Sequence, residues 1–116
     1  MNKNIRAKAR RRVRAGIRVL NEKRPGWFNK VSLTKLDLAS CELCVLGQVY
    51  ASQGQSGFYR GLEILNGKVA ENPKAFGFDS DWVANVEYDL LEEIWKEEIA
   101  AQRRLARENK KQGVNV

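Results

Sequence analysis

The first 24 residues hold ten Lys or Arg against a single acid, Glu22. A segment with net charge +9 repels itself, so any helix there frays unless an apolar side docks or its charge is neutralised. The rest of the chain is built the other way. Residues 25–102 carry six basic and twelve acidic side chains, and residues 103–116 are basic again, for a total of +7. A cationic beginning, an acidic body and a cationic end predict either a polyanionic partner or ion pairing inside the molecule.

Residues 4–22 have helical periodicity. At 100° per residue, Ile5, Ala9, Val13, Gly16, Ile17 and Leu20 fall within an arc of about 120°. Lys3, Arg10, Arg11, Arg14 and Arg18 are expected across from that stripe, with Arg6 and Arg12 flanking it. Pro25-Gly26 then ends the helix, because proline disfavours helix in the residue before it and glycine permits a turn.

At 116 residues, 43% of them hydrophobic, the chain suits one folded domain with one core. The pattern predicts an all-α fold, a small bundle of about four helices with a long loop over 66–80. Its parts are a basic amphipathic helix (1–24), a helical body (25–109) and a frayed tail (110–116). Thr34 and Asp37 have the spacing of a capping box, followed by a helix over 35–51 that is apolar nearly all round. Such a helix is expected at the centre of the bundle, and Gly47 in its middle implies a close neighbour. A loop over 52–57 and a short helix over 58–65 follow, the latter with Phe58, Leu62 and Leu65 on one side. Phe76 and Phe78 are expected to anchor the 66–80 connection. The last helix is expected from a Ser80 or Asp81 cap to about Asn109, packed along the central one.

Function classes narrow by subtraction. There is no histidine, which removes the commonest general base and metal ligand. Cys41 and Cys44 would share one side of a helix, but two thiols fall short of the four ligands of structural zinc unless a second chain supplies the rest. As small hydrophobes inside an apolar helix, both are expected to be buried. The carboxylates Glu87, Asp89, Glu92, Glu93, Glu97 and Glu98 read as a solvated or ion-paired face. Gly54 to Gly61 lacks the Gly-Lys-Ser/Thr of a phosphate-binding loop. No apolar run reaches the ~20 residues of a membrane span, and none resembles a signal peptide. With only two cysteines, a reducing cytosol is the expected location. No catalytic residue, metal or cofactor is expected.

Pro25-Gly26-Trp27, Cys44-Val45-Leu46-Gly47-Gln48, Tyr59-Arg60-Gly61-Leu62, Ala75-Phe76-Gly77-Phe78 and Tyr88-x-x-Leu91-x-x-x-Trp95-x-x-x-Ile99 occur in that order. Together they resemble a family of small uncharacterised proteins of actinobacterial phages and their hosts, over residues 15–100. The resemblance implies a setting, the bacterial cytoplasm and the accessory genes of a phage. It brings no activity and no functional residue. The basic segment before position 15 lies outside it.

The leading expectation is therefore a non-enzymatic nucleic-acid-binding accessory protein. Lys3, Arg6, Lys8, Arg10, Arg11, Arg12, Arg14 and Arg18 would contact DNA or RNA phosphates, favoured by the preponderance of arginine. With about five phosphates engaged, log affinity would fall against log salt with a slope near −4.5. The segment has no interleaved aromatics to stack on single strands. The alternative is a protein-interaction module that engages a host or phage protein through the Ile5–Leu20 stripe. The acidic face of the same chain, or of a twin in a homodimer, competes for the same arginines. A membrane surface is not expected, since the stripe has no Trp or Phe.

Overall fold

The N-terminal apolar stripe lies inside the protein. The computed structural model describes residues 3–52, 56–80 and 85–111, with only the backbone of 3, 4, 85–87 and 111. Helix α1 (Lys3–Lys23) buries Ala9, Val13, Gly16, Ile17 and Leu20, and only Ile5, in its first turns, stays 45% exposed. Pro25 and Gly26 (φ +81°) then turn the chain into a 3-10 turn, Trp27–Lys30. Short helices follow: α2 (Val45–Val49), α3 (Gly57–Leu65) and α4 (Gly67–Glu71). A second 3-10 turn, Pro73–Phe76, leads to α5 (Asn85–Lys111). The fold is all-α, with no strand among the described residues.

Two tryptophans bring the core together. Trp27 and Trp95 are fully buried and meet edge-on with ring centroids 5.9 Å apart. Phe78 stacks on Trp95 at 5.6 Å, and the indole N–H of Trp95 donates to the Gly77 carbonyl at 2.7 Å. Phe78 thus anchors the 66–80 connection as expected, and Phe76 packs half-buried against the core. That connection is folded along much of its length into α4 and the second 3-10 turn. It crosses α1 so closely that a Cβ on Gly16 would lie 2.2 Å from the Phe76 carbonyl oxygen. Glycine at position 16 is required by this approach.

The expected helix over 35–51 is much shorter. Only Val45–Val49 is α-helical, and the preceding residues form turns. The cause is local competition from polar side chains. Asp37 Oδ1 accepts from Ala39 N–H at 3.0 Å, and Ser40 Oγ accepts from the N–H groups of Glu42 and Leu43. The helix starts only at Cys44, whose Sγ accepts from Gly47 N–H at 3.3 Å; the Thr34–Asp37 capping box does not begin it. The side chain of Gln48 then clips onto the segment that follows the first 3-10 turn, accepting from Ser32 N–H and donating to Ser32 O.

The centre of the molecule shifts accordingly. Helix α2 packs on α3, whereas α5 lies along α1 and against the first 3-10 turn rather than along α2. A close neighbour at Gly47 is present, since a Cβ on Gly57 of α3 would sit 2.1 Å from the Gly47 carbonyl oxygen. Of the expected caps for the last helix, Ser80 is buried and Asp81 lies outside the described residues, as do the last five residues of the expected 110–116 tail. Lys110 and Lys111 still belong to α5.

Candidate nucleic-acid interface

Docking the stripe sorts the basic residues of α1 into two sets. Arg6, Arg10 and Arg14 recur every four residues, so they stack in one row along the helix. That row faces α5. Arg6 Nη2 donates to Glu97 Oε2 at 2.8 Å and Nη1 reaches Glu93 Oε2 at 3.4 Å. Arg10 bridges Glu97 (2.9 Å) and Glu98 (3.4 Å), and Arg14 Nε donates to Glu98 Oε1 at 2.9 Å. Partners rise in number together along both helices, so α1 and α5 run parallel. Of the ladder's side chains Glu98 is the least exposed, at 15%. The hydrogen bond from Arg10, aided by the charges of Arg6 and Arg10, holds the Glu97 carboxyl below its usual pKa.

This corrects the placement of Arg10 and Arg14, expected across from the stripe. They lie beside it because the buried arc is displaced toward α5, and Ile5 at its other edge is left exposed. The carboxylate face is ion-paired in part, as expected. Glu93, Glu97 and Glu98 are the ladder's acceptors, while Glu92 accepts from Leu38 N–H at 3.2 Å and pairs with Lys96. The matching four-residue spacing of Arg6, Arg10 and Arg14 was the signal for this pairing.

Lys8, Arg11 and Arg18 form the second set. All three are exposed, and none has an ion pair among the described residues. Arg14 belongs to both sets, since its side chain stays 58% exposed despite its bond to Glu98. Arg12 is half-buried and engaged within the molecule, and the side chain of Lys3 lies outside the description. The Ile5–Leu20 stripe, the surface offered to a protein partner, is occupied by the core apart from Ile5.

The cysteines separate. Cys44 is buried as expected, and burial pushes its thiol up to about 11. Cys41 is exposed instead, because it sits in the turn before α2 rather than inside a helix. Its carbonyl accepts from Phe58 N–H and Ser56 Oγ, tying that turn to α3. Among the described residues no three of His, Cys, Asp and Glu stand together as a metal site. No helix there is long and apolar enough to cross a membrane.

Tyr88 donates to Asp79 at 2.8 Å, and desolvation together with that carboxylate pushes its hydroxyl up to about 12. The pair fixes the end of the connection beside α5. No family model matches this chain, and no curated protein or solved structure is significantly similar to it.

Proposed function

We propose that this is a non-enzymatic accessory protein that binds nucleic-acid phosphates through the outer face of α1, with Lys8, Arg11 and Arg18 as primary contacts and Arg14 shared. The observation that carries the reading is the division of labour on one helix. The Arg6–Arg10–Arg14 row holds α1 to α5, and the adjoining exposed face keeps three cations without an ion pair among the described residues. A docked helix presents its charges with little ordering left to do on binding, which favours affinity. Phosphate contact of this kind carries little sequence information, so binding is weakly specific.

Arg6 and Arg10 leave the set of primary contacts, because their guanidinium groups are held by carboxylates. The salt slope expected for three to four phosphates lies between about −2.7 and −3.6, shallower than the full cationic segment would give. Electrophoretic mobility of random-sequence DNA and RNA tests the reading. A shift at ~50 mM salt that weakens steeply by ~200 mM is expected; no shift at ~50 mM overturns it.

A second reading is a protein-interaction module, favoured by Tyr59 and Ile64 of α3, which are 58% and 52% exposed. Under that reading the partner, a host or phage protein, is met by α3 rather than by the buried stripe of α1. A phage setting in the bacterial cytoplasm follows from the family resemblance and suits both readings. Affinity capture from nuclease-treated lysate separates them, since a phosphate-held partner is lost on digestion.

A further inference from the structure

A half-open cleft of about 680 Å³ lies where the C-terminal ends of α1 and α5 meet the Pro25-Gly26 turn. Its apolar lining includes Phe28 and Leu105, and its polar lining is dominated by four carboxamides, Asn21, Asn29, Gln102 and Asn109. Among the described residues Lys110 is the one charged residue lining it, although the chain has 14 Asp and Glu. Phe28 is held in place. Its ring meets Trp27 edge-on at 5.8 Å, and Arg103 donates through Nε and Nη2 to its carbonyl. Asn21 Oδ1 accepts from the Trp27 indole, leaving its amide N–H groups to donate, while the side chains of Asn29, Gln102 and Asn109 have no partner among the described residues.

We propose that this cleft takes one unpaired nucleobase of a single strand whose phosphates follow Arg11, Arg14 and Arg18. The proposal rests on the phosphate reading above and names the form of nucleic acid preferred. Its support is continuity along α1. Arg11, Arg14, Arg18 and Asn21 are spaced by three, four and three residues, so they share one face at steps of roughly 4.5–6 Å. The cationic row therefore leads directly to a residue of the cleft. A carboxamide offers a donor and an acceptor side by side, the pairing that reads a base edge. An aromatic ring supplies the stacking surface that the basic segment itself lacks. A lining of carboxamides and apolar groups without a carboxylate suits a base, with the phosphates left outside on the arginines.

Fluorescence anisotropy at ~50 mM salt, comparing a labelled 12-nucleotide strand with a hairpin duplex of equal phosphate number, tests this. The single strand is expected to bind at least about fivefold tighter. Phe28→Leu is expected to lower single-strand affinity roughly tenfold, the order of one lost base stack, and to leave duplex binding unchanged. Because Phe28 touches the core, the isosteric Asn109→Asp, which puts a carboxylate in the cleft, serves as a second variant and is expected to act in the same direction. Titration of the intact protein with adenosine monophosphate should shift the side-chain amide resonances of Gln102 and Asn109, whereas ribose 5-phosphate should not. Equal affinity for both forms, unchanged in the variants, overturns the cleft and leaves the phosphate reading standing. Binding of neither form overturns both.

Discussion

Single residues decide which charges are available. Glu97 is held below the ordinary carboxylate value of 4.5 by Arg10 and Arg6. A carboxyl whose pKa is lower folded than unfolded contributes stability above its unfolded value. That contribution is lost as pH falls through the depressed folded value. Stability followed by urea unfolding between pH 6 and 3 should therefore fall more steeply for the native protein than for Glu97→Gln; equal slopes would remove the ladder's role. The cysteines give a second test. Cys41 is exposed, while Cys44 is buried with its thiol pushed up to about 11. A thiol reagent at pH 8 should modify Cys41 quickly and Cys44 only on unfolding, since the thiolate is the reactive form. Fast labelling of both would contradict the capping role of Cys44.

At the scale of elements, the legibility of the sequence follows from the range of the interactions involved. The periodicity of α1 is local, and its stripe is buried from Ala9 to Leu20 as read, with Pro25-Gly26 ending it. The 35–51 region is less helical than its hydrophobicity predicts, because short polar side chains compete for its backbone. Asp37 and Ser40 bond the backbone within two or three residues and hold it in turns. Which helix lies along α5 was not legible at all, since pairing of helices is decided by contacts distant in sequence. Gly16 reports on one such contact. Gly16→Ala places a methyl group against the Phe76 carbonyl and should cost about 1–3 kcal/mol, measured by urea unfolding, although alanine favours helix. An unchanged or raised stability would mean that the connection does not cross α1 there.

For the molecule as a whole, α1 joins two roles that the sequence kept apart. The basic segment was legible as a candidate site, but its division into an inner and an outer set depends on where α5 lies. Arg6, Arg10 and Arg14 meet carboxylates more than 80 positions away in the chain. The amide-lined cleft was likewise invisible, being assembled from residues 21–29 and 102–110. Deleting residues 1–20 would remove Val13, Ile17 and Leu20 from the core, so such a chain should fail to fold and cannot test the interface. Charge reversal on the exposed face can, because Lys8, Arg11 and Arg18 support nothing in the core. The decisive measurement is the salt dependence of affinity for random-sequence duplex DNA, by anisotropy, for the native protein and for Lys8→Glu/Arg11→Glu/Arg18→Glu. The native protein should bind at ~50 mM salt with a slope between about −2.7 and −3.6. The triple variant should melt as a folded protein and bind at least tenfold more weakly. Equal binding by both proteins, or none by the native one, would contradict a phosphate-binding outer face on α1.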